Sequence, residues 1–283
     1  MKKHWTPAKA AGALLCAAFL LILTVFTLYP VLYAAFGSLK TNMELVLGES
    51  FLPREWHFEN YAYAFSKLNF FQYFMNSVAL CGLCTVLSVV VSSMAGYCLA
   101  RHDFPGKKLL SALYLGLMFI SLGSVSVYPV YLLMNKIGMT NNLAGLALVI
   151  TGGQAANIFL VRGFISTLPR ELDESAYLDG CSVFGIYWRI LLPLIRPIIA
   201  VVGLFAFRNA WNDYITSMIF TIGRKAMQPL TVAVVALRYS ANAAAEWHIM
   251  TAGATIALLP VLIMYLFTNK QFISGLTAGA VKG

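Results

Sequence analysis

Long runs of apolar residues constrain this chain more than any other feature of its sequence. Residues 11–35 are almost continuously apolar, and about 20 such residues are enough for a helix to cross a bilayer. Hydrophobic residues fill 60% of the 283 positions and charged residues 11%, whereas roughly a quarter of an ordinary soluble domain is charged. The sequence therefore predicts an all-α polytopic membrane protein.

Apolar runs separated by polar or basic segments predict six transmembrane helices. The first run follows a basic start and is too long for the apolar part of a signal peptide, which has about 7–15 residues, so we read it as a membrane helix. No internal repeat and no broken helix is evident from the sequence. The predicted spans are residues 11–35, 74–100, 109–134, 143–165, 195–221 and 249–269.

Basic residues predict the orientation of these helices. Lys and Arg concentrate at the N-terminus, after the second and fourth spans, and in the tail, and such positions are typically cytoplasmic. An even number of spans places both ends on the same side, so residues 1–10 and the tail 270–283 are expected in the cytoplasm. The net charge of +9 is explained by this distribution, and it does not call for a nucleic-acid partner.

One segment between apolar runs combines charge with helical periodicity, and it is the most informative part of the chain. Pro169 and three carboxylates predict the start of a helix, because carboxylates favour the positive end of the helix dipole. Gly180 is suited to a left-handed C-cap, and Ser182 to the N-cap of a second helix. The apolar face expected for that second helix consists of Phe184, Tyr187, Trp188 and Leu191.

The same segment resembles the cytoplasmic coupling loop of ABC importer permeases. That pattern reads Glu-Ala-Ala, three residues, Gly, nine residues, Ile, one residue, Leu-Pro. The matching positions here are Glu174, Ser175, Ala176, Gly180, Ile190, Leu192 and Pro193. Ser175 departs from the pattern but is also small, and Asp179 fits an Asp-Gly pair seen in the sugar-type branch.

Further motifs along the chain are similar to those of maltose-permease-type subunits of carbohydrate ABC importers. The resemblance implies that this chain pairs with a second permease, that two ATPase subunits dock in the cytoplasm, and that a solute-binding protein docks outside. ATP and magnesium are then expected in the ATPase subunits, with no cofactor in this chain. These motifs are Glu59-Asn60-Tyr61, Asn76-Ser77, Arg162-Gly163-Phe164, Trp211-Asn212-Asp213 and the tail 275–283.

The resemblance also assigns contact residues. The loop 166–197 would carry the coupling helix, and the C-terminal tail would reach the ATPase interface. The expected coupling residues are Glu171, Glu174, Ser175, Ala176, Asp179 and Gly180, and the expected tail contacts are Gly279, Val281, Lys282 and Gly283.

Catalytic and metal-binding chemistry is not indicated. Gly106-Lys107-Lys108 lacks the first Gly and the hydroxyl of a Walker A loop, so ATP hydrolysis is expected in partner subunits. Cys81 and Cys84 have redox spacing but no second ligand pair, and they are interpreted as small apolar residues.

Polar residues inside the apolar runs have two interpretations. They either line a sugar pathway or hydrogen-bond between helices. An arginine there, Arg208, is expected to meet a carboxylate or carbonyl, either in this chain or in the partner permease. The candidate pathway residues are Gln154, Asn157, Trp211, Asn212 and Asp213.

The leading hypothesis is a permease subunit of an ATP-driven sugar importer in a bacterial or archaeal cell membrane. Three alternatives stay open: a secondary transporter that works without an ATPase, an ABC permease for a solute other than a sugar, and a membrane anchor or sensor. A secondary transporter would be expected to show inverted repeats or broken helices around a midplane site.

Overall fold

The computed structural model describes residues 7–48, 50–67, 69–119, 123–238 and 245–280, and within them every regular element is helical. The predicted all-α class is therefore confirmed. The α-helices are α1 (Pro7–Gly37), α2 (Asn42–Leu47), α3 (Glu59–Lys67), α4 (Phe70–Arg101), α5 (Lys107–Phe119), α6 (Val127–Lys136), α7 (Leu143–Ile150), α8 (Ala155–Ile165), α9 (Glu171–Leu178), α10 (Val183–Ile186), α11 (Leu192–Leu194), α12 (Arg196–Asn212), α13 (Ile215–Thr221), α14 (Leu230–Ala236) and α15 (Trp247–Ala280).

Fewer helices are long and apolar enough to cross a bilayer than the six spans that the sequence predicts. Among the described residues, three helices are individually long and apolar enough to cross a bilayer: Ala11–Gly37, Phe70–Arg101 and Trp247–Leu266. Two bent helix pairs raise the count to five if each pair is one span. The predicted third span holds α5 and α6, and residues 120–122 between them lie outside the described chain. The count of six remains a prediction.

Two predicted spans are interrupted, which corrects the expectation that no helix is broken. The axes of α7 and α8 differ by 62° across residues 151–154, where Gly152 and Gly153 have low helix propensity. The predicted fifth span ends its first helix at Asn212, and Asp213 then adopts extended backbone. The carboxylate of Asp213 accepts the N–H of Ser217 at 2.7 Å, which stabilises the start of α13 as an N-cap would.

The chain divides into two compact units, the first comprising residues 1–68 and 234–256. In this unit the Asn60 amide donates to the carbonyls of Ser38 and Lys40, each at 2.9 Å, and the Tyr61 hydroxyl lies 2.7 Å from Ser38 Oγ. The Asn60-Tyr61 part of the family motif therefore fastens α3 to the segment that follows α1. The first helix itself has no buried residue in its most apolar stretch.

The second unit, residues 69–233 and 257–283, is built on α4, which packs against α7, α8 and α12. Ser88, Ser92 and Gly96 lie on the buried side of α4 at intervals of four residues. A Cβ on Gly96 would lie 2.9 Å from Val161 Cγ1 and 3.1 Å from the backbone nitrogen of Arg162. Small side chains thus allow the close helix approach that is typical of membrane proteins.

The Asn76-Ser77 motif has a structural role in the same unit. Asn76 donates to the carbonyls of Ala226 and Gln228, and the hydroxyl of Ser77 accepts the N–H of Leu230 at 2.7 Å. These bonds hold the segment between α13 and α14 against the start of α4.

The last helix continues beyond its predicted end at residue 269. Described backbone is helical to Ala280, so most of the predicted tail 270–283 belongs to α15. Of the predicted tail contacts, Gly279 lies in this helix, and Val281, Lys282 and Gly283 lie outside the described residues.

Candidate functional site

The first helix of the loop, α9, starts and ends as its sequence predicts, with one exception. Three carboxylates occupy its first turn, where the helix dipole stabilises negative charge. Pro169 does not lie in that turn, because Arg170 is the N-cap and the proline precedes it. Gly180, with φ of 80°, closes the helix: its N–H donates to Tyr177 and the N–H of Cys181 donates to Ala176, both at 3.0 Å. This is a Schellman ending, which only a residue tolerant of positive φ accommodates without strain.

Burial divides the predicted coupling residues into two groups. Ala176 is 4% exposed and belongs to the core formed by α4, α8, the second loop helix and α12, so its small side chain serves close packing within this chain. The Ser175 hydroxyl donates to the carbonyl of Glu171 at 2.7 Å. The exposed predicted residues are Glu171, Glu174, Ser175, Asp179 and Gly180.

A buried ion pair joins α9 to the end of α4, and the sequence reading missed it. Arg101 Nε lies 2.8 Å from Asp173 Oδ2, and the two side chains are 6% and 11% exposed. Arg101 Nη2 also donates to the carbonyls of Leu168 and Pro169, at 3.0 and 3.1 Å. These contacts attach α9 and the segment before it to the C-terminal end of α4.

The basic segment after α4 has its own local ion pair. Lys107 Nζ donates to Asp103 Oδ1 and to the carbonyl of His102, both at 2.8 Å. The hydrogen bond from Lys107 holds the pKa of the Asp103 carboxyl below its usual value, because it stabilises the ionised form of that carboxyl.

The second loop helix starts at the predicted N-cap, since the Ser182 hydroxyl accepts the N–H of Gly185. Its apolar face is only partly as predicted. Tyr187 and Leu191 are buried, but Phe184 and Trp188 are 63% and 59% exposed and stack on each other.

A turn of π-helix explains this difference. Residues Tyr187–Leu191 form the π-helix, and the N–H of Leu192 donates to the carbonyl of Tyr187, five residues back. The wider turn lies directly before Pro193, which has no N–H to donate. A face calculated with the α-helical period therefore drifts away from the buried side.

Tyr187 connects the loop to the C-terminal third of α4. Its hydroxyl lies 2.7 Å from Ser93 Oγ, and its ring stacks on that of Tyr97 with centroids 5.7 Å apart. Together with the Arg101–Asp173 pair, this gives α4 two buried attachments to the loop.

The exposed side of the loop combines carboxylates with apolar groups. We call it the loop surface, and its members are Glu171, Glu174, Ser175, Leu178, Phe184 and Trp188. Leu178 is 90% exposed, and such large exposed apolar groups in one region are typical of a protein-protein contact.

A polar cavity of about 290 Å³ lies in the second unit beside the break between α7 and α8. Two predicted pathway residues, Gln154 and Asn157, line it, together with Arg208 and Asn209 of α12. Gln154 Nε2 donates to Ser88 Oγ, and Asn157 Nδ2 donates to Gln154 Oε1, both at 2.9 Å. Gln154 therefore hydrogen-bonds between helices, as one of the two interpretations expects, and the pair also faces open space, whereas a role in a sugar pathway stays a prediction.

Two adjoining cavities contain the other predicted polar residues. Cavities of about 740 and 530 Å³ are both lined by Asn209, Asp213 and Thr216, and Asn212 lines the smaller one. Asn209 is common to all three cavities, which makes α12 the shared wall of a polar region. The sequence reading did not include Asn209 among the pathway residues, although its amide character was a sufficient signal.

Trp211 has a different environment from its motif neighbours. It is 3% exposed, its indole N–H donates to the carbonyl of Ala257 at 3.1 Å, and its carbonyl accepts the hydroxyl of Thr231 at 2.7 Å. Its ring also stacks on Phe207. These contacts indicate that Trp211 packs α12 against neighbouring segments, whereas Asn212 and Asp213 line a cavity.

The cysteines and acidic residues of the described chain form no cluster of three or more metal-binding side chains. Cys81 and Cys84 are buried in α4, and their thiols face the carbonyls of Phe207 and Ala147 at 3.7 and 3.9 Å. Their surroundings agree with the interpretation as small apolar residues.

Almost the whole chain is similar to known transport permeases. Residues 10–273 match the family model described as "Binding-protein-dependent transport system inner membrane component". The chain is 34% identical over 271 residues to the arabinooligosaccharides transport system permease protein AraQ of Bacillus subtilis, covering 94% of each chain. It is 29% identical over 268 residues to the maltodextrin transport system permease protein MdxG of the same organism, again covering 94% of each.

A solved structure has the same fold. It is described as a bacterial ABC transporter involved in the import of the acidic polysaccharide alginate, and one of its chains matches with a TM-score of 0.80 at 22% identity. The match covers 96% of this chain and 100% of that one.

Proposed function

The chain belongs to the family of binding-protein-dependent transport system inner membrane components, and we propose that it is a permease subunit of an ATP-driven sugar importer. The similarity to the arabinooligosaccharide permease AraQ, which extends over 94% of both chains, carries the proposal. A second relative of similar coverage is a maltodextrin permease. Both names refer to oligosaccharides, and we propose this substrate class here.

The proposal includes three kinds of partner: a second permease, two ATPase subunits that bind ATP and magnesium, and an extracellular solute-binding protein. Both termini lie in the cytoplasm in this arrangement, and so does the loop surface. The apolar stretch of α1 is not buried within this chain, which is consistent with contact to a second membrane subunit or to lipid.

The loop surface is the proposed ATPase contact. Its carboxylates and its stacked aromatic pair would enter a cleft of the ATPase subunit, and closure of the ATPases would push α9. The Arg101–Asp173 pair and Tyr187 would pass this movement to α4, because both attach the loop to buried positions of that helix. The Glu174 carboxylate is exposed and free to pair with a basic partner group. The tail residues Gly279 to Gly283 are proposed as a second contact.

A secondary transporter is expected to have broken helices, and this chain has them, so the form of its helices does not exclude that alternative. The experiment therefore asks whether transport depends on the ATPase subunits. The four components are co-expressed, purified and placed in lipid, and ATP hydrolysis is measured with and without sugar-loaded binding protein. We expect loaded binding protein to stimulate hydrolysis. Uptake of solute by this chain in the absence of the ATPase would favour the secondary transporter instead.

Two matched pairs of variants test the loop. Glu174→Ala should lower the stimulation at least tenfold, whereas Glu55→Ala removes an exposed carboxylate elsewhere and should not change it. Gly180→Ala strains a residue with φ of 80°, while Gly163→Ala places a Cβ in open space within α8. If the two variants of each pair showed the same stimulation of ATP hydrolysis, the loop would have no role in coupling.

A further inference from the structure

The cavity beside the break between α7 and α8 contains one formal charge. Of the residues that line it, Arg208 alone has a side chain of a charged type, and the others are apolar residues, hydroxyls, a thiol and amides. Arg208 lies twelve positions along α12 from Arg196, which corresponds to about 18 Å of helix. It is thus positioned deep in an apolar segment, where an isolated guanidinium is costly.

Arg208 has no side-chain partner among the residues that the structure describes. Its guanidinium makes neither a hydrogen bond nor an ion pair there, so of the two expected locations for its partner the described part of this chain does not supply one, and a group on the second permease stays a prediction. The nearby carboxylate of Asp213 does not line this cavity, and one of its oxygens accepts the N–H of Ser217. The cation and the anion of α12 therefore serve separate cavities.

Three amide side chains line the same cavity as Arg208, and two of them are held by hydrogen bonds. The bonds from Asn157 to Gln154 and from Gln154 to Ser88 fix two of them, each at 2.9 Å. The amide of Asn209 makes no side-chain hydrogen bond within the described chain, so it is available to a ligand. Fixed amides beside a free guanidinium match a ligand that carries both hydroxyl groups and a planar anion.

We propose that this cavity binds an acidic saccharide, with Arg208 pairing to a sugar carboxylate and Asn157 and Asn209 hydrogen-bonding to its hydroxyls. The inference rests on the proposed function as a sugar importer and narrows its substrate class. A guanidinium presents parallel N–H donors that fit a carboxylate in two-point contact. A neutral sugar would occupy the amides but leave the guanidinium of Arg208, which is exposed at the cavity, without a counter-ion.

The size of the cavity adds a constraint on how the ligand is held. About 290 Å³ is at the small end of ligand-binding pockets, so it accommodates one sugar unit at a time. The adjoining larger cavities share Asn209 and have Asp213 in their walls, so an anionic unit is favoured beside Arg208 and disfavoured beyond it. Such a site would hold each acidic unit at a defined point of the path.

The test uses the complete transporter in lipid and pairs of disaccharides that differ only at C6. Galacturonate, glucuronate and mannuronate disaccharides are compared with their neutral galactose, glucose and mannose counterparts. Uptake is measured with binding protein, and direct binding to the complex is measured by titration calorimetry without it. We expect at least one uronate to bind and be transported, and Arg208→Gln to lower its kcat/KM by about 10- to 100-fold.

Two further variants make the result specific. Arg208→Lys keeps the charge but loses the two-point geometry, so we expect a loss of about 3- to 10-fold for the uronate. Lys136→Gln removes an exposed cation at the end of α6, away from the cavity, and should change neither substrate more than twofold. Neutral counterparts should change less than twofold in the Arg208 variants.

Several outcomes would overturn the inference. One is an equal loss for acidic and neutral sugars, and another is transport of neutral sugars with no binding of any uronate. A third is that Arg208→Gln fails to assemble with the second permease while Arg208→Lys assembles normally. Arg208 would then pair with a group of the second permease and not with a sugar. If no sugar of either kind stimulates ATP hydrolysis, the proposed function itself fails, whereas stimulation by neutral sugars alone refutes only this inference.

Discussion

Replacing Asp173 by Asn should loosen the attachment of α9 to α4, and the size of the effect follows from the ion pair. Removing one partner of a buried ion pair typically costs about 3–5 kcal/mol, because the remaining charge stays buried. Here Arg101 keeps its two carbonyl acceptors, and the neighbouring cavity of about 150 Å³ is large enough for water. We therefore expect a cost below this range, about 2 kcal/mol, for local opening of the loop.

Hydrogen exchange of the amides in α9 measures that opening directly. A loss of about 2 kcal/mol corresponds to exchange that is about 30-fold faster in the complete transporter without ATP. Asp179→Asn is the matched control, because it neutralises an exposed carboxylate at the end of the same helix, and it should change exchange less than about threefold. Stimulation of ATP hydrolysis by the binding protein should fall in Asp173→Asn, since the push on α9 reaches α4 less efficiently.

A double-mutant cycle separates the pair from its surroundings. Arg101→Gln and Asp173→Asn should together accelerate exchange less than the sum of their separate effects, by an interaction free energy of about 1 kcal/mol or more. Additive effects, or exchange in Asp173→Asn that matches the Asp179→Asn control, would refute the assignment of this pair as the attachment.

Three further substitutions test the packing around the site. Gly96→Ala should lower the thermal stability by about 1–3 kcal/mol in a melting assay, because its Cβ has no room against α8, whereas Gly82→Ala should be neutral, because its Cβ meets nothing within 4 Å. Tyr187→Phe should cost about 1 kcal/mol in the same assay, because it removes the hydrogen bond to Ser93 but keeps the ring, and an unchanged melting temperature would contradict this. Trp211→Phe should reduce stability but leave the KM for uptake unchanged, because the indole supports the helix rather than the cavity, and a raised KM with normal stability would contradict that role.

Features that depend on neighbouring residues were predictable. The Schellman ending at Gly180 and the N-cap at Ser182 follow from conformational and hydrogen-bonding preferences that act within a few positions. The apolar runs of α1, α4 and α15 follow from their length and composition alone. The partial error on the apolar face of the second loop helix is also local, since a π-turn before Pro193 changes the period that the face depends on.

Interruptions of the membrane helices were harder to predict, because an apolar segment can be continuous in hydropathy and discontinuous in backbone. Gly152 and Gly153 lie within an apolar run whose hydropathy predicts one continuous helix, although both residues have low helix propensity. The sequence likewise predicts Asp213 within a continuous helix, whereas its carboxylate stabilises the start of the next one.

By itself the sequence determined the all-helical membrane class and the helix-turn-helix of the loop, and it contained the motifs of a permease family. Only the tertiary structure decided that Asp173 pairs with Arg101, that Ala176 packs inside while Phe184 and Trp188 face outward, and which polar residues share a cavity. The physical reason is the range of the forces involved. Hydropathy, propensity and capping act along a few residues of chain, whereas an ion pair or a cavity depends on how helices far apart in sequence pack against one another.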